Sequence, residues 1–142
     1  MKKALSLVLA LVLCLSLCAC GNKLHKQADE VAEKLDGVWS TTWTAPLGKM
    51  EMVFKFEHND GNAGTVEYYF MCDGDVLTHQ TGTYGVSIQT DGTVELAYLA
   101  EIDKDGNTKK LEKVMENTLN YSYENGEIKL SFSDKTLVKI KG

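Results

Sequence analysis

The stretch KMEMVFKFEH, residues 49–58, alternates: Met50, Met52, Phe54 and Phe56 point one way, Glu51, Lys55 and Glu57 the other. A period of two marks a strand with one face in a core and one in water. The same period recurs down the chain. TVEYYFMC (65–72) puts Val66, Tyr68, Phe70 and Cys72 on one face, TYGVSIQ (83–89) Tyr84, Val86 and Ile88, and TVELAYLA (93–100) Val94, Leu96 and Tyr98. LNYSYE (119–124) follows with Leu119, Tyr121 and Tyr123, EIKLSF (127–132) with Ile128, Leu130 and Phe132, and TLVKI (136–140) with Val138 and Ile140. Between them stand Asn59-Asp60-Gly61, Asp73-Gly74, Asp91-Gly92, Asp105-Gly106, Asn125-Gly126 and Ser133-Asp134. Asp-Gly and Asn-Gly adopt the positive φ angles that tight hairpin turns need. Short turns make neighbours in sequence neighbours in space, so about eight strands form a meander. Closure removes both exposed edges of such a sheet, and the expected fold is an all-β, antiparallel up-and-down barrel. TKKLEKVMENT (108–118) reads either as a helical turn or as a strand with a bulge.

Upstream of the strands the period changes. Leu24, Ala28, Val31 and Leu35 follow helical spacing, Glu30 and Lys34 stand four apart, and Gly37 ends the segment. One short helix of about three turns is expected to lead into the barrel. Three segments result: a leader over 1–19, a tether and helix over 20–36, and the barrel over 37–142.

The leader begins with Lys2 and Lys3 and continues as ALSLVLALVLCLSLCA. As a helix, Ala4 to Ala19 would span about 24 Å, short of the roughly 30 Å hydrocarbon core. A positive start, a short apolar middle and a small residue at the end make a signal peptide. LCAC, Leu17 to Cys20, followed by Gly21, resembles the lipobox of bacterial lipoproteins. That resemblance implies a diacylglyceryl group on the Cys20 thiol and cleavage just before it. Cys14 and Cys18 each follow a leucine and fit the motif less well. The implied mature protein starts at Cys20, sits on the extracytoplasmic face of the cell membrane as part of the envelope, and keeps Cys72 as its free thiol. Two or more acyl chains hold a protein stably where one does not.

Gly37-Val38-Trp39, at the junction of helix and first strand, resembles the G-x-W motif of lipocalin-like proteins. The resemblance implies a tryptophan packed at the closed end of an eight-stranded barrel. Arginine commonly crosses that ring from the last strand in the family. This chain has none, which leaves Lys139 or Lys141 for the place.

All fifteen basic residues are lysines and the net charge is −5. No basic stripe exists to neutralise a nucleic acid, and no planar guanidinium fork to grip phosphate or carboxylate. No nucleophile elbow, Ser-His-Asp arrangement or glycine-rich phosphate loop is present, paired carboxylates fall on water-facing strand positions, and nothing calls for a cofactor. The expectation is not an enzyme.

Nine aromatic residues fall on the inward faces: Trp39, Trp43, Phe54, Tyr68, Phe70, Tyr84, Tyr98, Tyr121 and Phe132. An eight-stranded barrel is just wide enough to be filled by side chains or to hold one small ligand, so both interiors stand open. Trp43, Tyr84, Tyr98 and Tyr121 are the candidate lining for a small apolar or amphipathic ligand. In the alternative, a filled barrel is a scaffold that engages an envelope protein, with Tyr69 and Met71 as its outward apolar patch. EIDKDGNTKKLE (101–112) sets Glu101, Asp103, Asp105 and Glu112 at calcium-loop spacing, although the same run makes an ordinary hairpin turn. His58, His79 and Cys72 follow no zinc-ligand spacing.

Overall fold

The computed structural model describes residues 23–88 and 92–142. The leader, Cys20 and Asp91 lie outside the described residues. A helix, α1, covers residues 23–35. Eight strands follow: β1 (Gly37–Ala45), β2 (Gly48–Asp60), β3 (Ala63–Cys72), β4 (Asp75–Val86), β5 (Thr93–Ile102), β6 (Thr108–Glu124), β7 (Glu127–Phe132) and β8 (Lys135–Lys141). Each pairs antiparallel with the next and β8 pairs with β1, which closes the barrel. No helix among the described residues is long and apolar enough to cross a membrane.

The turns follow the local chemistry. Asp73 and Gly74 both have positive φ (49° and 85°), as do Asn125 and Gly126 (53° and 79°), the pattern of a type I′ hairpin turn. Residues 108–118 form a strand with a bulge: Tyr98 stands opposite Met115 and Ala100 opposite Lys110, so residues 111–114 face Leu99 alone. Three extra residues on one strand relieve the ladder without breaking it.

The odd-to-even connections gather Pro46-Leu47, Asp73-Gly74, residues 103–107 and Ser133-Asp134 at one end, the mouth. The other end is closed by α1. Ala28, Val31, Ala32 and Leu35 are buried there, in one core cluster with Phe56, Val86, Val94, Leu119 and Leu130. Burial of a valine or leucine contributes about 1.5–3 kcal/mol each. Hydrogen bonds fix the angle of the lid. Trp39 Nε1 donates to the Leu35 carbonyl (2.9 Å), the Tyr84 hydroxyl to the Ala32 carbonyl (3.2 Å) and the Tyr123 hydroxyl to Glu30 Oε2 (3.1 Å). Glu30 is thus turned to the barrel and forms no ion pair with Lys34. Gly37 ends the helix and starts β1 at φ 126°, where a Cβ would stand 2.3 Å from the Lys141 carbonyl oxygen.

Of Lys139 and Lys141, it is Lys139 that meets the Trp39 ring. Its Nζ lies 5.8 Å from the Trp39 ring centre and donates to the Lys34 carbonyl (3.1 Å). This corrects the phase of β8. TLVKI suggests Val138 and Ile140 inward, but both are about 60% exposed and Leu137 is buried, opposite Leu130. The run offers an apolar choice in either phase, and the structure takes the one that buries Leu137 and brings Lys139 over Trp39. Ile88 also turns out to be exposed, just past the end of β4.

Candidate functional site

The lower barrel is solid. Phe54, fully buried, touches Tyr68 (ring centres 5.0 Å apart) and Phe132 (6.4 Å), and Phe56 meets Tyr84 edge-on at 5.1 Å. Tyr84 and Tyr98 are each at most 3% exposed. Burial, with the nearby charge of Asp36, pushes the Tyr84 phenol up to about 12. Burial also raises Tyr98, whose oxygen accepts from Asn117 Nδ2 at 3.3 Å, and Tyr68. These phenols stay neutral at ordinary pH and act as hydrogen-bonding groups, not as bases.

The expected lining set is therefore spread along the barrel. Tyr84 lies under α1, Tyr98 is in the packed middle, Tyr121 pairs with Leu130 in the closed half, and Trp43 alone of the four stands at the mouth. There it keeps other company. Trp43 stacks on Phe70 at 6.2 Å, and Lys135 Nζ sits 4.5 Å above the indole. Phe132 is opposite Lys135 across the β7–β8 turn, and both are half-buried. Buried Met50 stands opposite Trp43 and buried Met52 opposite Phe70, and Tyr68 lies one inward step further down β3. Gln80, 6% exposed, directs its Nε2 at the Met115 sulfur (3.4 Å), a weak acceptor.

The mouth thus carries a cluster of half-buried rings with one ammonium over them. Asp134 lies 3.4 Å from that ammonium and is itself well exposed, so the pair is weak and open to exchange. Lys135 was missed by sequence reading, yet a signal exists. Residues that flank a two-residue turn face the same side, so Lys135 must share the inward face of Phe132.

The outer wall is organised differently. Tyr69 is no open apolar patch: its ring stacks on His79 at 4.1 Å and its hydroxyl donates to Glu67, while His79 Nε2 lies 2.6 Å from the same carboxylate oxygen. Met71 is half-buried beside it. Burial opposes the Glu67 charge, but the Tyr69 and His79 hydrogen bonds and the His79 and Lys55 charges outweigh it and hold this carboxyl below its ordinary value. A depressed carboxyl adds stability above its unfolded pKa and loses it as pH falls through the folded one. Glu67→Gln should therefore melt below wild type at neutral pH, and the gap should close between about pH 4.5 and the lower folded value. Paired thermal melts across that range check this; a gap that widens in acid refutes it.

Glu101, Asp103, Asp105 and Glu112 are not gathered into one site. Asp103 Oδ1 instead accepts the backbone N–H groups of Asp105 (2.9 Å) and Asn107 (2.8 Å), which builds the hairpin turn. Those bonds hold the Asp103 carboxyl below its usual range. Cys72, His58 and His79 are likewise apart, with Cys72 near the Leu47 carbonyl, His58 on Gly61 and His79 on Glu67. Among the described residues no group of three or more His, Cys, Asp or Glu side chains is placed to hold a metal ion.

No protein-family model matches this chain, and no curated protein or solved structure matches it.

Proposed function

We propose that this chain is a lipid-anchored extracytoplasmic lipoprotein, attached through Cys20, whose barrel mouth binds one small amphipathic molecule. The observation that carries the reading is the lysine-topped aromatic cluster at the mouth. Trp43, Phe70 and Phe132 face inward yet remain half-buried, under an ammonium 4.5 Å from the indole. A cluster of this kind takes an apolar chain on the rings and a negative group on Lys135. The site needs neither catalytic group nor cofactor. The lipobox supports the anchor.

A second reading, a filled scaffold that engages an envelope protein, draws on Leu47, Val76 and Leu77, all exposed on the mouth rim. Titration calorimetry of residues 21–142 with dodecanoate and with dodecanol separates the two. The ligand reading expects both to bind, and Lys135→Ala to weaken dodecanoate about tenfold, the loss of one charged contact of about 1.4 kcal/mol, while dodecanol changes little. Absence of binding by either amphiphile, together with a native mass spectrum free of co-purified small molecules, rejects the ligand reading in favour of the scaffold.

A further inference from the structure

The position of the closed end relative to the bilayer follows from chain length and surface chemistry together. This step rests on the lipoprotein reading of Cys20. Only Gly21 and Asn22 separate Cys20 from residue 23, where the described part of α1 begins. Three residue steps reach at most about 11 Å, so a lipid-bearing Cys20 keeps that end of α1 within headgroup distance of the membrane. α1 is no free tether, because four of its side chains are buried in the barrel end. It runs about 18 Å across that end. Asp29 lies near the β2–β3 turn, and the carbonyls of Lys34 and Leu35 meet Lys139 and Trp39 on β8 and β1.

At the far end of α1, β8 carries the second feature. Val138 and Ile140 point outward, each about 60% exposed, on the stretch of β8 that pairs with Val38 to Ser40. Lys139 and Lys141 alternate with them. Lys139 turns to Trp39 and the Lys34 carbonyl on the opposite side of the strand, so it is the outward pair Val138 and Ile140, with exposed Lys141 beside it, that suits the boundary of acyl chains and phosphate headgroups, where a lysine stem lies on apolar surface and its end reaches a phosphate. Charge at this end is mixed: Lys23, Lys26 and Lys34 are exposed on α1 beside Asp29, Glu33 and Asp36, and Asp60, Glu124 and Glu127 are exposed at the turns, while Glu30 is taken up by the Tyr123 hydroxyl.

We propose that the closed end lies flat on the bilayer: α1 runs along the membrane plane, the acyl chains of Cys20 hold one end, and Val138 and Ile140 seat in the interface at the other. The mouth then opens away from the membrane, about 30 Å above it by the length and tilt of β2. Trp43 and Lys135 therefore meet amphiphiles delivered through the aqueous compartment, not lipids of the bilayer that carries the anchor.

The mouth rim has exposed apolar residues of its own, Leu47 foremost, and supplies the competing orientation. The test uses the full chain, processed in bacteria and reconstituted into vesicles of phosphatidylethanolamine and phosphatidylglycerol. In a Cys72→Ser background, Ile140→Cys or Leu47→Cys carries an environment-sensitive fluorophore, and nitroxide-bearing lipid quenches it. The expected result is a blue-shifted probe at 140, quenched several-fold more than one at 47. Equal quenching, stronger quenching at 47, or none at either site in vesicle-bound protein overturns the orientation. The Cys72→Ser chain with no added cysteine reports on the anchor separately. If it labels with maleimide or fails to stay with the vesicles, the lipoprotein reading falls, and the orientation with it.

Discussion

Phe54→Ala should lower the unfolding midpoint by about 10–20 °C and remove about 3–5 kcal/mol of stability. Phe54 has no exposed surface, and its ring meets Phe56, Tyr68 and Phe132 at centroid distances of 5.0 to 6.4 Å. It therefore joins β2, β3 and β7 from the middle of the barrel. Truncation removes the burial of a whole ring and leaves a void. Neighbours on a closed ladder cannot collapse into that void without shifting register. Phe54→Leu, which restores most of the volume, should recover a large part of the loss. Thermal melts followed by far-UV circular dichroism check both, and a Phe54→Ala midpoint within a few degrees of wild type would mean that the barrel centre is not packed.

That position was legible in the sequence because alternation alone decides it. In 49–58 one phase holds two methionines and two phenylalanines and the other only Val53 among charged residues, so Phe54 and its neighbours face the core on any sheet that has one. The meander was legible for the same reason, with Asn-Gly and Asp-Gly pairs to set the joins. On β8 both phases contain an apolar residue, and the phase that buries Leu137 is also the one that sets Lys139 on Trp39 and on the Lys34 carbonyl of α1, contacts with no local signal in the run. Ala32 escaped notice on the helix because alanine carries little signal by itself, although it completes the stripe with Ala28, Val31 and Leu35.

The site was harder to read than the wall that holds it. Inward alternation says that Trp43, Tyr84, Tyr98 and Tyr121 point toward the axis, but not at what height. Height decides whether a ring is packed or accessible, and it comes from the register of eight strands and from which end α1 covers. Tyr84 and Tyr98 end below the level at which the barrel is filled. The lysine beside Trp43 comes from β8, more than ninety positions away in the chain, where no local pattern links the two.

The second large effect concerns a position at which the sequence is silent. Gly82→Ala should cost about 3 kcal/mol or more, while Gly85→Ala, three residues along the same strand, should be neutral or stabilise by up to about 1 kcal/mol. Both glycines lie in β4 and neither has a left-handed backbone. A Cβ on Gly82 would stand 1.8 Å from the Ala97 carbonyl oxygen and 2.8 Å from the Tyr98 Cα, both parts of the β5 backbone. The register slips between Thr81 and Gly82, which draws the two strands together where Leu99 bulges out. Backbone cannot rotate aside as a side chain can, so the methyl group must part β4 from β5 or shift Tyr98, and Tyr98 packs on Tyr68 at the centre. At Gly85 nothing lies within 4 Å of the added atom, and alanine gains by restricting the unfolded chain. Urea unfolding with an unchanged m-value should show the first midpoint well below wild type and the second at or above it. Equal midpoints for the two variants would refute the close approach at Leu99, because propensity alone treats two strand glycines alike and only the distance to β5 separates them.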